Sequence, residues 1–389
     1  MSLSSESPDS KIPFWRDERY VKIALQAIAV LVVFIVFSLL VGNLNRNLQQ
    51  SGRQFDFSFL WNEAGFNIGE SLLTYAPRDR YIWAIFVGLV NSLQVMLSGF
   101  VLTTILGTIA GIASFSENWL VRKLSQVYVE LVRNTPLLLQ LFFWYLAVFL
   151  GLSKTELKPI LGFFYVSNRG LSLPWPANTP MAWIGLGLLI LGAIAAFIIW
   201  QWRTKIMVEQ GASGKSQLFM LIGIGIAALL ILTIGLGWQF PSVVAGAVSG
   251  GMQLSLEFSA LLIGLVFYTG AFIAEIVRAG IQSVSRGQWE AARALGLQSS
   301  LAMRLVVFPQ ALRVIIPSLN SQYMNLAKNS SLALAIGFPD VYAVSNTTFN
   351  QTGRPVEVFL MLMAIYLTIN LIISTIMNTL NRAVQIKER

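Results

Sequence analysis

The sequence predicts an all-α polytopic membrane protein of about eight transmembrane helices. Three observations carry that prediction. Of the 389 residues, 55 % are apolar and only 12 % are charged, against roughly 25 % charged in soluble domains. Apolar runs recur at about the 20 residues a helix needs to cross a ~30 Å hydrocarbon core. The gaps between those runs alternate between rich and poor in Lys and Arg, as topology requires. The chain also has no Cys and no His. Thiolate metal sites, disulfides, imidazole bases and catalytic triads are thereby excluded.

In chain order, the first span runs from Val21 to Gly42. It exceeds a signal-peptide apolar core and lacks a small-x-small cleavage site, so it reads as a retained anchor. The second covers Ala84 to Ser114 and the third Val127 to Leu152, where Thr135-Pro136 caps or kinks the helix. Met181–Trp200 and Leu218–Gly237 form a pair, followed by Met252–Ile276, Leu305–Gly337 and Val356–Leu380. The seventh region is longer than one perpendicular crossing, and Pro309 and Pro317 can break its start. The outer loop Asn43–Arg80 is too short for an enzymatic domain, and prolines stiffen the loop Ser153–Pro180. With both termini cytoplasmic, the inner segments collect 16 basic residues and the outer loops eight. The opposite orientation reverses that bias. The +9 net charge is therefore a topology signal, with no nucleic-acid surface implied. Trp83, Trp119, Trp183, Trp200, Trp202 and Trp238 sit at span ends, as interfacial rings do.

The nearest thing to a phosphate loop is Gly211-Ala-Ser-Gly-Lys-Ser216. Glu209 stands where a P-loop has its first Gly, and no strand precedes it, so the segment reads as a turn. The Gly-x-Gly patterns at Gly185, Gly223 and Gly235 lie within spans and read as helix packing or bending sites.

The segment between the sixth and seventh spans is the informative one. Ser285 with Gln288 forms a capping-box pattern, Gln288 to Leu295 is Ala-rich, and Gly296 is placed for a left-handed cap. A short helix follows, with Trp289, Ala292 and Leu297 on one side. Such a helix fits a groove on a partner protein; it equally fits an interfacial connector touching headgroups.

Here a resemblance enters. Glu290-Ala291-Ala292, three residues, Gly296, nine residues, then Val306-x-Phe308-Pro309 resembles the EAA loop of ABC importer permeases. Val306 and Phe308 stand where that family usually has Ile and Leu. Phe272-Ile-Ala-Glu-Ile-Val-Arg-Ala-Gly280, the run from Tyr128 to Leu139 and Lys328-Asn-Ser-Ser-Leu332 resemble its polar amino-acid branch. The extra spans resemble the general L-amino-acid permeases. The resemblance implies a type I importer core of five spans, divided as 84–152 and 252–381 with the coupling loop at 278–304. Around it lie an N-terminal tail, span and outer loop over 1–83, an insertion over 153–251 and a cytoplasmic tail over 382–389.

The resemblance further implies a multi-pass protein of the bacterial inner membrane, itself no enzyme. It would import polar or general L-amino acids by alternating access. ATP and Mg would be bound by separate ATPase subunits, and this chain would carry no cofactor. A second homologous permease, as a heterodimer in preference to a homodimer, and a periplasmic or tethered amino-acid-binding protein complete the expected partners. The ATPase-coupling residues by this reading are Gly287, Trp289, Glu290, Ala291, Ala292, Arg293 and Gly296. The rival class is an ion-gradient-driven secondary transporter, but the sequence has none of the inverted repeats usual there.

Charges within spans default to functional hypotheses. Glu130 and Arg133, three apart, can pair within one helix, or with Asn134 and Thr135 can line the substrate path. Glu275 and Arg278 have the same spacing and read as a boundary salt bridge. In span seven, Asn325, Lys328, Asn329, Ser330 and Ser331 are candidates for a substrate wall. The Lys328 ammonium can meet a substrate carboxylate or snorkel to headgroups.

Overall fold

The computed structural model describes residues 18–384 except 51, 53, 153–158, 161, 210 and 245–246. Residues 1–17 of the predicted N-terminal tail, 385–389 of the predicted tail over 382–389, and Arg53, Lys154 and Lys158 of the predicted outer loops lie outside these residues. The chain divides into two units, Met1–Trp61 and Asn62–Arg389. The first holds α1 (Glu18–Gln50) and a 3-10 turn at Ser58–Trp61. From Val21 to Asn47, α1 is long and apolar enough to cross a bilayer, and its apolar side chains are exposed throughout.

The second unit opens with α2 (Tyr81–Ala113), α3 (Trp119–Arg133) and α4 (Leu137–Phe142), the last continuing as π-helix to Phe149. Strands β1 (Pro159–Ile160), β2 (Phe164–Ser167), β3 (Gly170–Leu173) and β4 (Trp175–Pro176) lead into the hairpin α5 (Pro180–Glu209) and α6 (Lys215–Leu230). After it come β5 (Trp238–Gln239), β6 (Ser242–Val244), β7 (Ala247–Ser249) and β8 (Met252–Leu254). The chain ends with α7 (Leu256–Gln282), α8 (Arg286–Ala294), α9 (Ser299–Ala302), α10 (Phe308–Asn329), α11 (Val341–Thr352) and α12 (Pro355–Val384). Among the described residues seven helices are long and apolar enough to cross a membrane, or eight when the bent pair α3 and Leu137–Phe149 counts as one span.

The core is built on α2 against α7. The sequence Gly107-Thr-Ile-Ala-Gly111 places two glycines one turn apart on α2, the small-xxx-small pattern that lets backbones approach in lipid. A Cβ added at Gly107 would stand 2.6 Å from Ile273 and 2.8 Å from the Gly270 carbonyl oxygen. One at Gly111 would stand 2.6 Å from Val277. Of the most apolar stretch of α7, 67 % is buried, against none for α6. The helices α5 and α6 pack chiefly on each other, through contacts such as Gly192 against Ile224, and their outer apolar faces are bare. The turn between them holds Gly214 in the left-handed region (φ 55°), with Arg203 donating to its carbonyl.

At the end of the bundle where α7 begins, an Asn and a Ser pin the loops. Asn91, 1 % exposed, donates to the carbonyls of Glu70 and Pro339. Ser92 accepts from the Val341 N–H. Ser255 caps α7 by accepting from Phe258 N–H, and donates to the Glu70 carboxylate. Asp340, fully buried, caps α11 by accepting from the Ala343 N–H at 2.8 Å.

The structure revises several expectations. The third span is not one straight helix: α3 and Leu137–Phe149 meet at 109°. Pro136 lacks an N–H, and Thr135 returns its hydroxyl to the Leu131 and Val132 carbonyls, so the α3 helix ends there. In the loop after it the described residues include strands: β1-β2-β3-β8 form an antiparallel sheet in which Leu171 pairs with Leu254. Trp175 pairs with Gln239, so the strands tie together the two ends of the hairpin insertion. The helix α10 starts at Phe308 and runs through Pro317 without stopping, held between α7 and α12. Pro309 sits in its first turn, where a missing N–H costs nothing. Finally, the stretch between the last two predicted spans holds a capped helix, α11.

Gly107→Val is expected to lower the stability of the detergent-purified protein by ~1–3 kcal/mol through overpacking. Gly187→Val, at a glycine with nothing within 4 Å, is expected to leave the thermal midpoint in place. Burial pushes the Asp340 carboxyl up to about 7, against the lowering effect of its backbone hydrogen bonds. A carboxyl raised in the fold contributes stability at low pH and loses it as pH climbs from the ordinary carboxylate value through 7. Thermal stability is therefore expected to fall across that window and level off above it. Asp340→Asn keeps an oxygen for the cap and is expected to flatten the profile.

Candidate functional site

Two clefts lie toward the α8 end of the bundle. The first is built on α8 itself. It is a nine-residue helix slung between the ends of α7 and α9. Gly296 adopts φ 72°, its N–H donates to the Arg293 carbonyl, and the Leu297 N–H donates to the Ala292 carbonyl. This pair of bonds is a Schellman motif, and it satisfies carbonyls that the helix end leaves open. The expected capping box does not form. Ser285 holds the N-cap position without a side-chain bond, and Gln288 instead accepts from Gln310 on α10 at 3.1 Å.

One face of α8 is inward. Ala292 is 2 % exposed, Leu297 is half-buried, and half-buried Trp289 packs on the cluster containing Ile281, Val284 and Val307. The rest faces outward: Gly287, Glu290, Ala291, Arg293 and Gly296 are exposed. Trp289, Glu290 and Arg293, with Arg286 and Phe115, line a cleft of about 560 Å³. The exposed stretch is slim, since only Ala and Gly flank Glu290 and Arg293 at positions 287, 291 and 294.

The second cleft, about 540 Å³, lies among α2, α3 and α7. Glu130, Arg133 and Asn134 line it together with Gln126, Glu275 and Arg278. Arg133 does not pair with Glu130. It reaches across to Glu275 at 3.7 Å and lies over the Phe272 ring at 5.3 Å. Glu275 also takes the expected bidentate contact from Arg278, with Nε at 2.9 Å. One carboxylate therefore joins two guanidinium groups from two helices.

The other predicted path residues are placed elsewhere. Thr135 is spent on the elbow, where it also accepts from Gln140. Ser330 and Ser331 donate back to the Ala327 and Lys328 carbonyls, which is local helix bonding. Asn325 and Lys328 are exposed on α10 and Asn329 is half-buried, and none of residues 325–331 lines this cleft. Sequence reasoning missed Gln126 and Phe272 as cleft residues. The spacings 126-130-133 and 272-275-278 each mark one helical face and were the available signal.

Residues 216–386 match the family model for the binding-protein-dependent transport system inner membrane component. The general L-amino acid transport system permease AapQ of Rhizobium johnstonii is 40 % identical over 96 % of this chain and 94 % of its own length. This chain belongs to the amino-acid ABC transporter permeases. The glutamate/glutamine/aspartate/asparagine transport system permease BztB of Rhodobacter capsulatus is 39 % identical over the whole of both chains. A solved amino acid ABC transporter with histidines aligns with 78 % of this permease at 21 % identity and a TM-score of 0.47. As a permease of this family the protein is a multi-pass inner-membrane component with the type I importer fold. Its matches to AapQ and BztB run through the N-terminal span and the hairpin insertion as well as the core.

Gly296→Ala adds a side chain at φ 72° in open space. The left-handed conformation costs such a residue ~1–2 kcal/mol, so amide exchange in α8 is expected to quicken by about ten-fold while the buried α7 amides keep their rates.

Proposed function

We propose that this permease is the transmembrane subunit of an importer that moves polar or general L-amino acids into the cytoplasm by alternating access. The drive comes from ATP and Mg bound in separate ATPase subunits, which dock at α8. The observation that carries this reading is the form of α8: one face packed on the bundle, the opposite face slim and exposed around Glu290, both ends held by membrane-crossing elements. That is the helix-in-groove geometry. The bias of Lys and Arg supports placing α8 and both termini in the cytoplasm.

A second homologous permease, as a heterodimer, and a periplasmic or tethered binding protein complete the transporter. The names of the relatives support an amino-acid substrate. So does the cleft of Glu130, Arg133, Asn134, Glu275 and Arg278, whose balanced carboxylates and guanidinium groups match a zwitterion. It forms the cytoplasmic side of the path. Lys328 and Asn325 on α10 form its outer wall, with Asn329, Ser330 and Ser331 shaping the adjoining turn.

Glu290→Lys reverses the charge at the centre of the exposed face without touching the bundle. It is expected to cut co-purification of the ATPase and amino-acid uptake by about ten-fold or more, the effect of losing ~1.4 kcal/mol at an interface. Gly296→Asp is expected to do the same through the broken cap. Unchanged association and uptake in both variants would overturn the coupling role.

A further inference from the structure

From the placement of α3 we infer that it lies in the plane of the bilayer surface and docks on anionic phospholipid. Two observations fix its direction. The segment after the elbow runs along α7: Leu141 meets Gly264, and the Tyr145 hydroxyl reaches Glu257 at 3.4 Å. The α3 helix is turned 109° from that segment, so it crosses α7. The long Tyr128 side chain reaches further along α7, its hydroxyl donating to the Phe267 carbonyl, while the other contacts lie at one level. Ser125 donates to the Ala110 carbonyl, Val129 packs with Ala110 and Ala274, and Arg133 meets Glu275. Ala274 is about 27 Å along α7 from Leu256, close to the ~30 Å depth of a hydrocarbon core. The level of α3 is therefore the membrane boundary.

The sequence of α3 divides accordingly into three faces at about 100° per residue. Ser125, Val129 and Val132 are buried against the bundle. Leu120, Leu124, Val127 and Leu131 form an exposed apolar stripe, 45–62 % accessible. A third, polar face carries Arg122 and Lys123 at its start, and further on Gln126, Glu130 and Arg133, which line the cleft with α2 and α7. A helix with a core face, an apolar face and a basic polar face fits the acyl–headgroup boundary. Lys123 is exposed, and Arg122 keeps one nitrogen on the Ser116 carbonyl while the rest of its fork remains available to a headgroup phosphate. Only the choice of leaflet rests on the proposed orientation; the depth of α3 does not.

This chain has no Cys, so a single introduced cysteine can be labelled in the purified permease before the transporter is assembled. Nitroxides would be placed at Leu120, Leu124 and Leu131, and at Lys123, Gln126 and Glu130, in the complete transporter in nanodiscs of phosphatidylcholine and phosphatidylglycerol. The first set is expected to be open to oxygen and closed to aqueous nickel chelate, the second set the reverse. Nickel reaching both sets alike would overturn the placement. So would a first set closed to both reagents, which would mean that protein covers the stripe. Broadening between a further label at exposed Trp119, beside Arg122 and Lys123 on the wheel, and spin-labelled phosphatidylglycerol is expected to exceed that with phosphatidylcholine, and to drop to its level in Arg122→Gln/Lys123→Gln. Equal broadening by both lipids in the unsubstituted background would overturn the anionic preference.

Discussion

The backbone-to-backbone approach of α2 and α7 is the constraint on which the rest of the unit depends. Gly107 and Gly111 leave room for Ile273 and Val277 to seat directly on the α2 backbone. In lipid there is no hydrophobic drive to bring helices together, so close packing of this kind must supply the adhesion. Once α7 is seated, its other faces are available as the floor for α3, α4 and α10. The same helix carries Glu275 and ends at Gln282, three residues before the N-cap of α8. The polar cleft and the exposed loop are thus two features of one stiff element.

The extra spans show what happens without that constraint. The hairpin of α5 and α6 has glycines too, but Gly187, Gly223 and Gly225 have nothing within 4 Å. No backbone has been brought against them. The hairpin is instead tied to the core by strands, with β3 on β8 and β4 on β5. Its bare apolar faces are no anomaly in a bilayer, where lipid tails solvate Leu and Ile as well as a protein interior does.

Much of this was legible in the sequence because it is one-dimensional information. Span existence follows from apolar length, and Gly296 at the end of a short Ala-rich stretch marks its cap wherever that stretch is packed. The elbow at Thr135-Pro136 was visible as a break. Its angle was not, since the direction taken by Leu137 depends on α7. The strands were hidden because two- to four-residue segments such as Pro159–Ile160 have too few positions to display a period. Partner choice was hidden for the same reason. Arg133 sits three residues from Glu130 in sequence, yet its carboxylate partner is Glu275 on another helix. Gln288 has the spacing of a capping box and is drawn instead to Gln310.

Polar groups within these helices follow two rules, and the difference separates scaffolding from site. Ser330, Ser331, Thr368, Thr375 and Thr379 each return a hydroxyl to a carbonyl one turn back. That bond satisfies the group wherever the helix goes, so it constrains nothing beyond its own turn. The Arg133–Glu275–Arg278 contact cannot be satisfied within one helix. It requires α3 and α7 to hold a fixed relation, and separating them would strand a guanidinium at the membrane boundary, where an unpaired charge is costly. The elbow and the helix that leads into α8 are therefore linked electrostatically as well as by packing. On the far side, α8 returns to the bundle through a π-helical turn at Met303–Val307 ahead of Pro309, a stretch with less regular bonding than α7. A force applied at α8 thus meets one arm locked to α2 and α3 and another whose first turn is already irregular, so displacement would be taken up first between Gln298 and Phe308.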